Sequence, residues 1–262
     1  MKMRGFIKKN KTFVYLLIAA LFLRLFLTQF GTLDLDFNSF VAWSNRMVEV
    51  GPAGFYDAWS DHNPGYMYVL WFLGFLKAKF PFLGSKMLLH LTYKLPAIMA
   101  DLATGILIFL TVSRFNKKFA LTVAAFYIFN PAVFGNSAMW GQIDSITSFF
   151  AFASVFFATS NPFVSAILIA IGTLVKVQAG FIIPLIVLLW FSKFSSKKTI
   201  TYTITTAIVF LAGFVPFSAG KPFLSFVFGQ MVANIGLSYS SVNAFNAWPL
   251  CRVFGSLMQG GL

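Results

Sequence analysis

The sequence predicts an all-α integral membrane protein, and three observations predict it. Hydrophobic residues fill 58% of the 262 positions and charged residues only 10%, against about 25% charge in ordinary globular domains. Mean hydropathy is +0.80. The apolar residues also gather into runs, at 13–30, 66–80, 95–113, 119–138, 145–159, 162–175, 179–191 and 201–219, with weaker ones at 222–237 and 249–258. Crossing the hydrocarbon takes about 20 helical residues, and shorter runs span when their polar flanks snorkel.

The first run follows Lys2, Arg4, Lys8, Lys9 and Lys11. Arg24 interrupts it and no small-residue cleavage site follows, so it reads as an uncleaved helix entering from the cytoplasm. If every run through 201–219 crosses, the basic loops Arg114-Phe-Asn-Lys-Lys118 and Lys193-Phe-Ser-Ser-Lys-Lys198 both face outward. Keeping 66–80 out of the bilayer returns both loops to the cytoplasm, as the positive-inside rule requires. The expectation is therefore a single transmembrane domain over 1–262 with about seven crossings. It has a first external loop at 31–94 and a second at 220–262. The cost is that Lys77, Lys79 and Lys86 lie outside.

Within the first loop, Phe37, Phe40, Val41, Met47 and Val48 recur at helical spacing, while Asn38, Ser39, Ser44, Asn45 and Glu49 face away. This predicts an amphipathic helix lying in the interface, stopped at Gly51-Pro52. A second such helix starts at Pro64. The chain ends in Gln-Gly-Gly-Leu after a weak apolar stretch, which reads as a fragment or a shortened chain.

Charge is distributed unevenly. Of seven acids, Asp34, Asp36, Glu49, Asp57 and Asp61 crowd the first loop, and only Asp101 and Asp144 lie beyond. Twenty Lys and Arg give a net charge of +13. They fall in short clusters between apolar runs, which fits anionic lipid headgroups rather than nucleic acid. One cysteine, Cys251, excludes an intramolecular disulfide framework, and two histidines without Cys/His spacing argue against zinc. A carboxylate is expensive to place in so apolar a chain, so the acidic cluster marks where water and chemistry sit.

Several of these residues admit two readings. Asp36 is either a helix N-cap or a general base at the membrane surface. With Asp34 it also forms an Asp-x-Asp pair, the one place a divalent cation (Mg or Mn) would bind, although no metal site stands out. Asp144 either caps the helix beginning at Ser145 or binds an acceptor. Lys176 either snorkels or contacts phosphate, and Arg46 is a further phosphate candidate. Trp140 and Gln142 either pack or line a sugar pocket. Asp101 lies about seven residues into its helix, roughly 10 Å deep, as a structural partner of Lys94 or as a functional acid. Arg24 snorkels or pairs with Asp101. His62 reads as a loop hydrogen-bonder beside Asp61.

Asp36-Phe-Asn-Ser-Phe-Val-Ala-Trp43, Gly51, Phe55-Tyr56 and Asp61-His-Asn-Pro-Gly-Tyr66 resemble the first external loop of the GT-C glycosyltransferases. The likeness is closest to the bacterial and archaeal relatives of the GPI-anchor mannosyltransferases. Where that family has D-Y-P-P, this chain has Asp-His-Asn-Pro. Lys94-Leu-Pro-Ala-Ile-Met-Ala-Asp101-Leu is similar to the family segment ending in A-D-L. Asn130-Pro131 through Trp140-Gly-Gln-Ile-Asp144-Ser resembles its N-P-x(n)-W-G-Q-x-D-S motif. Lys176-Val-Gln178-Ala resembles a K-x-Q-A step, and Asn243-Ala-Phe-Asn246-Ala-Trp248 its second external loop.

The resemblance implies a GT-C-type helical bundle in the plasma membrane with its site on the external face. The implied reaction is inverting transfer of a hexose, mannose above all. The donor is a polyprenyl-phosphate sugar and the acceptor a lipid-linked or cell-surface glycan. Asp36 maps onto the catalytic base, with Asp34, Asp61 and Asp144 in support. Arg46, Lys176, Gln178, Trp140, Gln142, Asn243, Asn246 and Arg252 map onto the substrate and phosphate contacts. The rival expectations are a transporter of polyprenyl-linked sugar or lipid, and a non-catalytic membrane scaffold.

Overall fold

The computed structural model describes residue 5 and residues 9–235, and among them every regular element is helical. The chain runs α1 (Lys11–Leu27), α2 (Asp34–Phe55), α3 (Pro64–Lys79), α4 (Lys86–Val112), α5 (Lys117–Ile128), α6 (Pro131–Phe134), α7 (Asp144–Phe157), α8 (Pro162–Val175), α9 (Ile183–Lys193), α10 (Ser196–Ala212) and α11 (Phe223–Ile235). Each apolar run through 201–219, and the weaker one at 222–237, contains one of these helices. Asn-Pro pairs recur at helix starts, where proline supplies a preset φ and costs no hydrogen bond. At two of them the asparagine side chain also accepts from a free amide: Asn130 from Ala132 (2.9 Å) and Asn161 from Val164 (3.3 Å).

Among the described residues, two helices are long and apolar enough to cross a membrane, Lys86–Val112 and Ser196–Phe217. A third span is formed if Lys117–Ile128 and Pro131–Trp140 are taken together across a 42° bend. The bend corrects the single run expected at 119–138, because Pro131 has no amide hydrogen to continue the ladder. Helices α7 and α8 have 14 residues each, about 21 Å at 1.5 Å per residue. Large apolar side chains point outward on α1 (Phe22, Phe26), α5 (Phe126) and α10 (Ile204, Ile208). Inside, small residues let backbones approach: Ala120, Ala124, Ala166 and Ala170 are fully buried, and a Cβ on Gly105 would come within 2.4 Å of Ile128. This is the packing expected where lipid is as apolar as the partner helix.

The helix ends sort into two groups. At one end, Lys117 donates to the carbonyl of Lys9 (2.7 Å) and Arg114 lies over the Phe156 ring (4.8 Å). At the other, α2 and α3 pack as a hairpin over the first turns of α4 and the ends of α8 and α10. Phe37, Phe40, Trp43 and Met47 of α2 bury against Tyr66, Met67, Leu70 and Leu73 of α3. Gly74 lets α3 close on the Ser44 backbone, where a Cβ would sit 2.5 Å from its carbonyl oxygen. Tyr68 donates to the Gly213 carbonyl (3.0 Å), and Lys221 pairs with Asp57 (2.8 Å).

The expected boundaries shift in several places. Helix α4 begins at Lys86 with Pro96 inside it, before the apolar run expected from 95. Asp101 is then its sixteenth residue, about 22 Å from its start, not the seventh. On α2, Ser44 is buried and bonds the Tyr93 hydroxyl (2.5 Å), while Val48 is exposed. A hydroxyl with a partner is accepted into a core that an unpartnered one would destabilise. Gly51, at φ +69°, breaks the helical path of α2, and a short turn from Pro52 to Phe55 completes it.

Candidate functional site

Asp36 is not an N-cap. Helix α2 starts at Asp34 after Leu33, which makes Asp36 its third residue, in the first turn, where the helix dipole favours a negative charge. Its Oδ2 accepts from Trp140 Nε1 (2.9 Å) and from Gln142 Nε2. These partners lie 104 and 106 residues away. Both bonds fall on one oxygen of a half-buried carboxylate, and charge-assisted bonds of this kind are the strong ones.

The segment that delivers Trp140 and Gln142 has an unusual backbone. Residues Gly135–Trp140 form a π-helical turn, in which the amides of Gly141 and Gln142 both donate to the Asn136 carbonyl at 3.0 Å. Such wide turns are rare and cluster at functional positions. Gly141, at φ +91°, ends the turn in a conformation that other residues resist. Lys94 holds the turn from below: its ammonium donates to the carbonyls of Thr28 (2.7 Å) and Met139 (2.6 Å) and to Thr32 Oγ1 (2.8 Å). The buried lysine is thus saturated with acceptors, and it ties the end of α1 to the π-turn rather than pairing with Asp101.

Asp144 is the first residue of α7, not its cap, since Ile143 occupies the boundary. Its Oδ1 pairs with Lys176 (2.5 Å) and its Oδ2 accepts from Asn136 Nδ2 (3.3 Å). Lys176 is the residue that closes α8. Asn136 therefore bridges two groups, with its carbonyl shaping the Trp140–Gln142 turn and its amide on Asp144. Nothing in its spacing marks Asn136 in the sequence; only the i, i+5 bonding of the turn reveals it.

Asp101 is buried, paired with Arg24 (3.4 Å) and bonded by Ser137 Oγ. Arg24 thus turns inward rather than snorkelling. Asp61 bonds His62 Nδ1 (2.6 Å). Burial works to raise the Asp61 carboxyl, but the bond to His62 and the charge of Lys176 outweigh it, and the group sits below the ordinary carboxylate range. Lys221 holds Asp57 low in the same way. Asp34 and Gln178 are exposed. Arg46 donates to the carbonyls of Phe55 (2.9 Å) and Gly54 (2.6 Å), so it secures the end of its own helix. Asn243, Asn246 and Arg252 lie outside the described residues.

Among the described residues, no group of three or more His, Cys, Asp or Glu side chains is placed to hold a metal ion. What the arrangement offers is a carboxylate with one oxygen engaged by two donors, flanked by an indole and an amide, and a lysine–carboxylate pair joined to it through Asn136. Such a set can accept a proton and can bind hydroxyls and an anion.

The chain matches no protein-family model, no curated protein and no solved structure.

Proposed function

We propose that this all-helical membrane chain is a glycosyltransferase of the GT-C type. In this reading it crosses the plasma membrane seven times and transfers a hexose, mannose above all, from a polyprenyl-phosphate donor. The acceptor is a lipid-linked or cell-surface glycan on the external face. One observation carries the reading: Trp140 and Gln142 both bond Asp36. Two short motifs over 100 residues apart, each resembling the same family, meet on one carboxylate. The grouping of Lys9, Lys117 and Arg114 at the opposite end from Asp36, Asp57 and Lys221 supports the sidedness, with 66–80 kept out of the bilayer.

Asp36 is the base. Its Oδ2 is held by Trp140 and Gln142, so Oδ1 is the oxygen that faces an acceptor hydroxyl. As the acceptor oxygen bonds to the sugar's anomeric carbon from the face opposite the phosphate, the hydroxyl proton passes to Asp36. The carbon–phosphate oxygen bond breaks with its electron pair, polyprenyl phosphate leaves, and the configuration inverts. A positioned base contributes typically about 10²–10⁴-fold. Lys176, with Asp144 fixing its position, offers the cation for the departing phosphate.

The test is transfer of radiolabelled mannose from polyprenyl-phosphate mannose by the purified full-length chain. Asp36→Asn is expected to lower the rate by about 10²–10⁴-fold while leaving the folded protein intact. Equal rates for parent and variant sink the proposal. The rival reading, a transporter, draws on the Arg24–Asp101 pair, since transporters place functional ions deep between helices. It expects flux of labelled lipid across vesicles to survive Asp36→Asn.

A further inference from the structure

The loop between α2 and α3 assembles groups that the Asp36 chemistry does not use. Asp61 Oδ1 and His62 Nδ1 lie 2.6 Å apart. A carboxylate in that position takes the Nδ1 proton as a hydrogen bond and fixes the ring as the tautomer whose Nε2 is an acceptor. That Nε2 is buried and has no hydrogen-bond partner among the described residues. The His62 ring sits 5.2 Å from Trp43 and 5.7 Å from Phe40, and Trp43 in turn sits 6.0 Å from Trp59. Trp59 is 73% exposed, an expensive position for an indole unless something covers it.

We infer that the Asp61–His62 pair and the Trp43–Trp59 face form a pyranose-binding subsite, separate from the Asp36 carboxylate. His62 Nε2 accepts a hydrogen bond from a ring hydroxyl there, and the exposed Trp59 indole, backed by buried Trp43, meets the apolar face of the ring. Its ligand class rests on the sugar-transfer reading above. An apolar aromatic wall with one well-placed polar group is how small-ligand sites combine affinity with orientation. Asp36, Phe40 and Trp43 stand at i, i+4 and i+7 and so share one face of α2. The subsite therefore lies about 10 Å from Asp36 along a single helix stripe. Its other border is Lys176, which acts electrostatically on Asp61 while bonded to Asp144. The His62 position is also where this chain departs from the D-Y-P-P pattern it resembles, so the subsite belongs to this chain's own residues.

The experiment is ligand-observed NMR of methyl mannopyranoside and methyl glucopyranoside with the full-length chain in a sugar-free detergent. Parent protein and Asp36→Asn are expected to bind one of them equally. His62→Ala and Trp59→Ala are expected to bind it at least about tenfold more weakly, the scale of one lost hydrogen bond or stacking contact. Trp59 is exposed enough that its variant keeps the packing intact, which separates lost binding from lost folding. Displacement by an oligosaccharide acceptor assigns the ring to the acceptor, and displacement by polyprenyl-phosphate mannose assigns it to the donor; either supports the subsite. Parent-like affinity in both variants, or no binding by the parent, overturns it. A chain that binds the glycoside at His62 but transfers no mannose retains the subsite and loses the proposed reaction.

Discussion

Asp36 and Asp101 are both held by the same short stretch of chain, yet their settings are opposite. Ser137 within the π-turn bonds Asp101, and Trp140 at its end and Gln142 two residues on bond Asp36. Asp101 is fully buried with a full guanidinium charge beside it, from Arg24. Asp36 is half-exposed, its partners among the described residues are neutral donors, and those donors crowd one of its two oxygens. The first arrangement neutralises a charge so that it can stay in the bundle. The second leaves a half-exposed carboxylate with no cation paired to it among the described residues, the setting the proposed base needs. Acidity alone separates neither; partner charge and exposure do.

That contrast breaks most visibly at Asp101. Asp101→Ala strands the Arg24 charge in the bundle, a loss of about 3–5 kcal/mol when a buried pair loses one member. The expected result is a large fall in thermal stability in detergent and poor accumulation in membranes, whereas Asp36→Asn changes rate and leaves stability near that of the parent. If Asp101→Ala melts with the parent, the two acids are not as different as their settings indicate. Next in size is Lys94→Met, which keeps the bulk of the side chain and removes the three bonds that tie the end of α1 to the π-turn. Activity should fall by about 10-fold or more through misplacement of Trp140 and Gln142, with a raised KM showing that binding geometry is affected. A change in stability with no change in kinetics would reduce Lys94 to a strut.

The smallest effect concerns pH. Asp61 has a folded-state value below its ordinary 3.8, so the stabilisation it provides is complete above that value and is lost as pH falls through the lower, folded one. It is partly solvated, so the contribution should stay under about 1 kcal/mol. Acid unfolding followed by circular dichroism should begin at a slightly lower pH for Asp61→Asn than for the parent at equal starting stability, because the variant has no such contribution to lose. Superimposable curves would show that the His62 bond does not favour the ionised form.

How much of this was legible beforehand depends on the distance between partners. The helical class, the apolar runs and the α2 stripe of Phe37, Phe40 and Met47 follow from local periodicity. Asp36, Trp140, Gln142, Asp144 and Lys176 stand out in the sequence by their motifs, and the structure brings Trp140 and Gln142 to Asp36 and Lys176 to Asp144. What spacing could not state was which carboxylate meets which cation. Lys94 was read beside Asp101, seven residues on, but it reaches carbonyls 66 and 45 residues away, and Arg24 takes Asp101 instead. Asn136 was invisible because its function comes from its carbonyl, which every residue has. Ser44 was assigned outward because a serine is polar, and only the Tyr93 hydroxyl explains its burial.

The wide turn at 135–140 behaves as a one-residue insertion absorbed without lengthening the chain's path. Deleting Ala138 would let the stretch close into an ordinary helix that keeps Ser137 on Asp101 but no longer offers the Asn136 carbonyl to the amides of both Gly141 and Gln142. The hold of Gln142 on Asp36 would loosen while the bundle's internal ion pair stayed in place.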